Sequence, residues 1–260
     1  MKTKTYFCVA DVPSFYTEMQ RALSEQGYDK DNPSHIFVSL GDLFDRGPES
    51  KECLEFVNSI PRERKILIRG NHEILMRQMV FGGNWPRGID KHNGTWKTAC
   101  DLTGVDKAEV MEKMRKNSEF WKYYHDTEYY RIVGDYILTH AWVPFDILHG
   151  FDSKTGKDFF LKKAMPLRKW DTVDDYEWDN RFTWMNGMEL WKEGVRIEGK
   201  TVICGHWNTS WGWKEIRHKC NSFYDVDAIH EPFIDEGIVA LDACTVVSKK
   251  VNCFKFTVEE

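Results

Sequence analysis

Two polar strings, each directly after a short apolar run, constrain the fold of this chain more than any other feature. The run His35–Leu40 ends at Gly41–Gly47 (GDLFDRG), and the run Lys65–Arg69 ends at Gly70–Glu73 (GNHE). Between them, Glu49–Ile60 has apolar residues at helical spacing. A strand, a helix and a second strand in this order form a parallel βαβ unit, and such sheets bind ligands at the carboxyl ends of their strands. The pattern therefore predicts an α/β fold with a polar site at one edge of a sheet.

The same alternation starts near the N-terminus. Tyr6–Ala10 is an apolar run that ends at Asp11, and Phe15–Gln26 has helical spacing that stops at Gly27. The first third of the chain is therefore predicted to form a βαβαβ unit with a mainly parallel inner sheet.

The rest of the chain is predicted to complete one domain over residues 1–260, with insertions at about 81–130 and 151–199. The first insertion contains a predicted loop at Gly82–Gly88 and a predicted helix at Lys107–Tyr124. Further strands are predicted at Tyr129–His140 (strand, turn, strand), at Lys200–His206, and in an antiparallel tail at Ile238–Asp242, Thr245–Val247 and Val251–Val258.

Composition narrows the class of protein. The chain is 42% hydrophobic and 30% charged, as expected of a soluble globular protein, and its net charge of −5 gives no reason to expect binding to nucleic acid or to an anionic membrane. The seven cysteines are scattered and form no Cys-x-x-Cys pair, which favours reduced thiols and a cytoplasmic location. The sequence has no apolar signal segment and no run long enough to span a bilayer.

A set of five polar residues shares one context, because each follows an apolar run. Carboxylate, amide and imidazole groups together suit manganese, iron or zinc. Taken singly, a strand-end aspartate is often a cap and a lone histidine is often a satisfied polar residue. Five in the same context instead favour a metal site, formed by Asp11, Asp42, Asn71, His140 and His206.

These strings resemble those of the calcineurin-like metallophosphoesterases, in particular the bacterial and phage branch of the serine/threonine phosphoprotein phosphatases. The resemblance is carried by Asp11, Gly41–Gly47, Arg69–Glu73, Thr139–Ala141 and Gly205–His206. It implies an α/β four-layer sandwich, in which two mixed β-sheets pack face to face and are flanked by helices. The later Asp242-Ala243-Cys244 string resembles a structural element of the family.

The resemblance also implies a role for each matching residue. Asp42 would bridge two divalent ions and Asp11 would bind the first ion. The second ion would be bound by Asn71, His140 and His206. His72 would be the general acid, oriented by Asp45.

Phosphate binding is implied for Arg46, whose planar guanidinium can hold two phosphate oxygens, and for Asn71. A second arginine from the later insertion normally joins it in this family. Arg181 is our choice, with Arg168 as the alternative.

The implied activity is metal-dependent hydrolysis of phosphomonoesters by a hydroxide generated at the metal ions. Phosphoserine and phosphothreonine in proteins are the first substrate class, and small phosphoesters are alternative ligands. The expected cofactors are two divalent ions, manganese first, with iron, zinc or nickel as alternatives. A dinucleoside-polyphosphate hydrolase and a non-catalytic protein that binds phospho-ligands are the competing interpretations.

One departure from the family pattern concerns the first ion. The family has Asp-x-His where this chain has Asp11-Val12-Pro13. Proline has no side-chain donor, so it cannot replace the histidine. Loss of a mere outer partner costs metal affinity about 10–100-fold. We therefore expect a weakened first site and reduced activity, unless a nearby side chain substitutes.

The eleven tryptophans all lie at or after Trp85. Most are expected to fill the core of the insertions, because aromatic side chains bury large areas. Trp142, Trp207 and Trp211 adjoin the expected ligands and are the candidates for lining a substrate cleft.

Overall fold

The structure, a computed structural model, describes residues 3–82, 86–105, 109–152, 157–225 and 227–259. Its strands are β1 (Thr3–Val9), β2 (His35–Ser39), β3 (Lys65–Leu67), β4 (Tyr130–Val133), β5 (Tyr136–Thr139), β6 (Phe145–Asp152), β7 (Lys157–Ala164), β8 (Thr201–Cys204), β9 (Phe233–Asp235), β10 (Ile238–Ala240) and β11 (Cys253–Glu259). Its α-helices are α1 (Tyr16–Glu25), α2 (Ser50–Ser59), α3 (Asn71–Phe81), α4 (Gly88–His92), α5 (Thr95–Thr103), α6 (Val110–Arg115), α7 (Ser118–Asp126), α8 (Asp175–Asn180), α9 (Gly187–Lys192), α10 (Thr209–Glu215) and α11 (Thr245–Ser248).

The strands form two mixed sheets and a separate hairpin. The first sheet has the order β11-β1-β2-β3, and the second has the order β4-β5-β8-β10-β9. In each sheet three neighbouring strands run parallel: β1, β2 and β3 in the first, and β5, β8 and β10 in the second. Expected site residues follow all of these strands except β10. Antiparallel strands complete both sheets, and β6 pairs with β7 alone.

The two sheets pack face to face, with helices on their outer faces. Alternation along β1 shows how the sequence achieves this, because successive side chains of a strand point to opposite faces. Tyr6 and Cys8 are buried between the two sheets, together with Leu138 and Ile203 of the second sheet. Phe7, like Val9, is instead buried against the helices that cover the first sheet. The predicted four-layer α/β sandwich is therefore confirmed.

A second helical layer covers the other sheet and comes largely from the later insertion. Its core contains the tryptophans Trp142, Trp170, Trp178 and Trp191. Three tryptophans of this insertion, Trp170, Trp178 and Trp191, are thus used in packing, as expected. The β6–β7 hairpin is different, because Ile147 and Phe160 are exposed.

Some local predictions were wrong. The tail segment Thr245–Val247 is part of α11, a single helical turn between the left-handed residues Cys244 and Lys249. Its two valines resemble a strand in sequence, but backbone reversal at both ends prevents extension. β10 is antiparallel to β9 but parallel to β8, so the tail is only partly antiparallel.

The first insertion also differs from its prediction. The segment predicted as one helix over Lys107–Tyr124 contains two helices, α6 and α7, which are separated at Asn117, whose side chain caps α7. Residues 106–108 lie outside the described residues, as do residues 83–85 of the predicted loop. Within the described ranges, no helix is both long enough and apolar enough to cross a bilayer.

Candidate active site

Six polar residues follow the six parallel strands and meet where the two sheets face each other. Asp11, Asp42 and Asn71 follow β1, β2 and β3, and His140 and His206 follow β5 and β8. The sixth, Asp242, comes two residues after β10. Parallel strands place their carboxyl ends at one edge of a sheet, so residues far apart in sequence become neighbours.

The centre of this arrangement is a group of potential metal ligands. Ligand atoms of Asp42, His140 and His206 all lie within 4.8 Å of one another. His140 Nε2 lies 3.5 Å from Asp42 Oδ2 and 2.9 Å from Asn71 Oδ1. A carboxylate, an amide oxygen and two imidazoles fit a first-row divalent ion, and the structure brings all four together.

An outer hydrogen bond orients the His140 imidazole. His140 Nδ1 lies 2.8 Å from the Leu40 carbonyl oxygen, which leaves Nε2 directed at Asp42 and Asn71. A backbone partner of this kind is typical of a histidine that binds a metal, because it fixes the ring and its tautomer. The ring of His206 packs edge-on against the Trp184 ring, with 6.0 Å between the ring centroids.

The charges of the two histidines differ. Burial and, to a lesser extent, the neighbouring His140 lower the pKa of His206 to about 3, so this ring is neutral. Burial also disfavours a charged His140, but Asp42 outweighs it and raises the pKa of His140 to about 10. A divalent ion and the His140 proton therefore compete for the same site.

The expected first-ion position has fewer donors. Asp11 Oδ2 accepts a hydrogen bond of 2.8 Å from the backbone N–H of His206. Gly205 permits this approach, because a Cβ there would collide with Asp11 Oδ2. Pro13 lines the same cleft where the family motif has histidine. The structure therefore brings Asp11 to the site but supplies no imidazole at position 13.

His72 forms a separate acid-base pair at the start of α3. Its Nδ1 lies 2.5 Å from Asp45 Oδ2, which also accepts a hydrogen bond of 2.7 Å from the Thr95 hydroxyl. Burial lowers the pKa of His72, but Asp42 and Asp45 raise it more, so the net pKa lies above the usual 6.5. Nε2 lies 3.4 Å from Arg46 Nη2 and faces the cleft. This geometry suits a proton donor beside a phosphate-binding arginine.

Backbone strain is concentrated at the same place. Asp11, Asp42 and His206 have φ values of 49°, 53° and 69°, and Asp45 and Arg46 have values of 78° and 61°. A left-handed conformation costs a non-glycine residue about 1–2 kcal/mol. Five of the expected site residues are thus held in a conformation that packing must impose.

Glu73 provides much of that constraint. Its buried carboxylate accepts hydrogen bonds from the backbone N–H groups of Asp42 (3.0 Å), Leu43 (3.1 Å) and Gly70 (2.8 Å), and from the Tyr123 hydroxyl (2.9 Å). Glu73 therefore fixes this turn by hydrogen bonding. One side chain thus ties the end of β2 to the start of α3.

Glu73→Gln is expected to lower the free energy of unfolding by about 2–3 kcal/mol, because its NH₂ group cannot accept the hydrogen bonds of a buried N–H. Tyr123→Phe, which removes a single hydrogen bond to the same carboxylate, is the control and should cost about 1 kcal/mol. Urea unfolding of the metal-free proteins measures both. Equal losses in the two variants would contradict this role for Glu73.

The site opens into a cleft of about 590 Å³. Besides the polar residues, its lining includes the aromatic side chains of Phe44, Trp184, Trp207 and Tyr224. Trp207 is 41% exposed and Tyr224 is 62% exposed. Of the three tryptophans that the sequence suggested for a cleft, Trp207 lines it.

The other two tryptophans do not line this cleft. Trp142 is fully buried in the core beneath the second sheet, and Trp211 packs against that core. Trp184 was missed by sequence reasoning. It follows helix α8, and none of its immediate neighbours in sequence was an expected ligand.

Arg181 is not among the residues that line the cleft. Its guanidinium lies 4.7 Å from the centre of the Phe145 ring and donates a hydrogen bond of 3.2 Å to the Phe145 carbonyl oxygen. The guanidinium also lies 4.8 Å from the centre of the Phe182 ring and forms an ion pair with Glu177. Among the arginines of the described ranges, Arg46 is the one that lines the cleft.

Comparison with known proteins agrees with this geometry. The family model for calcineurin-like phosphoesterases matches residues 5–233. The chain belongs to the calcineurin-like phosphoesterase family. The matched segment contains every expected site residue from Asp11 to His206, and the resemblance seen in the sequence is confirmed. Metal-dependent hydrolysis of phosphoesters is the chemistry of such a phosphoesterase.

Curated relatives share only part of their length with this calcineurin-like phosphoesterase. It is 28% identical over 165 residues to the asymmetrical bis(5′-nucleosyl)-tetraphosphatase PrpE of Bacillus subtilis, covering 60% of this chain and 64% of that protein. It is 34% identical over 84 residues to the symmetrical bis(5′-nucleosyl)-tetraphosphatase of Legionella pneumophila strain Corby, covering 32% of this chain and 29% of that protein. The chain thus spans less than two thirds of the length of these relatives.

Solved structures share the fold. The cold-active protein-tyrosine phosphatase of a Shewanella species aligns with a TM-score of 0.52 at 18% identity, covering 99% of this chain and 76% of that chain. A protein serine/threonine phosphatase from Saccharomyces cerevisiae with similarity to human phosphatase PP5 aligns with a TM-score of 0.51 at 13% identity, covering 99% of this chain and 81% of that chain. At these identities the likeness concerns the architecture alone.

Proposed function

We propose that this protein uses two divalent ions, manganese first, to hydrolyse phosphomonoesters, with phosphoserine and phosphothreonine in proteins as its substrates. Asp42, Asn71, His140 and His206 would hold the second ion, and Asp11 and Asp42 would hold the first. The mixture of carboxylate, amide and imidazole donors supports this assignment. When bound, the ions would supply a nucleophilic water of lowered pKa and positive charge beside the phosphate.

His72 is the observation that carries the monoester substrate class. A serine or threonine leaving group departs as a strongly basic alkoxide unless it is protonated, so its release needs a general acid. Burial lowers the pKa of His72, but the two carboxylates around it raise the net pKa, which keeps a proton on this ring. Asp45 holds Nδ1, and Nε2 delivers the proton while Arg46 binds the phosphate oxygens.

A second candidate is hydrolysis of dinucleoside polyphosphates. Two observations favour it. The curated relatives carry that activity in their names. The cleft is also lined by Trp184, Trp207 and Tyr224, and a nucleobase stacks on such rings.

Phosphate release from a phosphothreonine peptide, compared with cleavage of diadenosine tetraphosphate, tests the substrate class. We expect the larger kcat/KM with the peptide, and the reverse order would favour the second candidate. Trp207→Ala distinguishes them further. If a base stacks there, KM for the dinucleotide rises about 5–150-fold, corresponding to 1–3 kcal/mol, with little change for the peptide. Tyr176→Ala is the control, because Tyr176 is 72% exposed and does not line the cleft.

We also propose that the first ion binds more weakly than the second and limits activity. Pro13 supports this part of the proposal, because it stands where the family has a histidine that binds the first ion. A protein that binds phospho-ligands without turnover is the alternative from a different class. It would bind phosphate without hydrolysing any aryl phosphate at saturating manganese.

A cytoplasmic location is proposed as well, because all seven cysteines are free thiols.

A further inference from the structure

The six strand-end residues face each other as two ordered triplets. Asp11, Asp42 and Asn71 follow neighbouring parallel strands of the first sheet, in the order β1, β2, β3. On the second sheet the neighbouring strands are β5, β8 and β10, followed by His140, His206 and Asp242. Five of these six residues line one cleft, and the sixth, His140, is buried in contact with Asn71.

Contacts establish which residues are opposite. At one end of the row, Asn71 Oδ1 lies 2.9 Å from His140 Nε2. In the middle, a carboxylate oxygen of Asp42 lies within 4.8 Å of the ligand atoms of both histidines. At the other end, the His206 backbone N–H donates to Asp11 Oδ2. No such contact within the described ranges involves Asp242, but the strand order places it next to His206, at the Asp11 end of the row, and it lines the same cleft as Asp11.

The backbone around Asp242 is tied to the same end of the row. Leu241 N–H donates to the Cys204 carbonyl oxygen at 2.9 Å, which continues the pairing with β8 one residue past the end of β10. The Thr245 hydroxyl donates to the Asp11 carbonyl oxygen at 3.0 Å. Asp242 is therefore held between the His206 strand end and Asp11.

The carboxylate of Asp242 is available to a ligand. It is 5% exposed, and it lines the cleft with Asp11 and Pro13. Oδ1 accepts a hydrogen bond of 2.7 Å from the Cys244 N–H, whereas Oδ2 has no hydrogen bond to any part of the chain that the structure describes. Asp11 and Asp42 line the same cleft and are also buried, and three buried carboxylates in one cleft are unfavourable unless a cation is bound.

We propose that Asp242 supplies the first ion with the donor that Pro13 cannot, so that Asp11, Asp42 and Asp242 bind this ion through oxygen atoms. This inference rests on the proposed two-ion function. It reassigns Asp242 from the structural role suggested by the sequence to metal binding. Three carboxylates form a hard donor set, which suits manganese or magnesium, whereas the second position keeps two imidazoles.

Calorimetric titration of the metal-free protein with Mn²⁺ tests the assignment. We expect two ions per chain in the unsubstituted protein, one bound tightly and one more weakly. Asp242→Asn should weaken the weaker ion at least about 10–100-fold, since loss of even an outer partner has that effect, and leave the tighter ion within about threefold. Asparagine retains an oxygen for the Cys244 N–H, so the turn is preserved.

The control is Asp135→Asn, in the exposed turn between β4 and β5, which should leave both affinities unchanged. An unchanged weaker affinity in Asp242→Asn, or a single ion in the unsubstituted protein, would overturn the inference. If the Asp242→Asn protein binds both ions with unchanged affinity and still hydrolyses phosphoesters, this inference fails but the proposed function stands.

A spectroscopic measurement on the unsubstituted protein gives an answer even if Asp242→Asn does not fold. Zinc is added to fill the second position and Mn²⁺ the first, and electron spin echo modulation then detects any ¹⁴N nucleus bound to Mn²⁺. We expect no histidine nitrogen coupling. A clear coupling would show that another histidine replaces position 13, and would exclude Asp242 as the substitute.

Discussion

His72→Gln is expected to reduce kcat for a phosphothreonine peptide by about 10²–10⁴-fold, the usual contribution of a general acid. The loss should be much smaller for 4-nitrophenyl phosphate, because nitrophenolate leaves without a proton. Mn²⁺ affinity should change little. This divergence between two leaving groups is specific to proton donation, and a general disturbance of the site would reduce both rates together.

The pH profile gives a second readout of the same residue. The proton donor must be protonated, and the pKa of His72 lies above 6.5 because Asp42 and Asp45 outweigh the effect of burial. Activity on the peptide should therefore fall as pH rises through that pKa, and this basic limb should be absent from His72→Gln. His92→Gln is the control, since His92 lines the same cleft on α4. Equal losses on both substrates would contradict the assignment.

Asp42→Asn should abolish activity more completely, by about 10³-fold or more, because several kcal/mol of metal-dependent stabilisation are lost. The substitution removes the carboxylate shared by both proposed ion positions, while its amide oxygen can still accept the hydrogen bond of 2.9 Å from the His72 N–H. Elemental analysis should find fewer than two ions per chain. Asp135→Asn is again the control. An Asp42→Asn protein with two bound ions and near-normal kcat would refute the bridging role.

The first half of the site was predictable because its signals are local. Asp11, Asp42 and Asn71 each follow an apolar run directly or after one glycine, and neighbouring parallel strands bring such residues together whatever the intervening loops do. Glu73 could also be assigned, since its position three residues into the GNHE string makes it the capping residue of α3.

The other half depends on packing between distant segments, which local pattern does not encode. Asp242 became a candidate only when β10 proved to lie parallel to β8, with its end beside His206. Arg181 was expected at the phosphate because it lies in the later insertion, but its guanidinium packs on Phe145 and Phe182. Trp184 lies in the same insertion and lines the cleft, a position that depends on how the insertion packs and not on a local sequence pattern. Thr245–Val247 has strand-like residues, but left-handed residues on either side limit it to one helical turn.

The central claim is that side chains from two facing sheets bind a divalent ion between Asp42 and the two histidines. Anomalous diffraction at the manganese absorption edge, from crystals soaked in Mn²⁺, tests it most directly. The account predicts its strongest anomalous peak at coordination distance from Asp42, Asn71, His140 and His206. Absence of a peak there at saturating Mn²⁺, with the metal bound elsewhere on the protein, would contradict it.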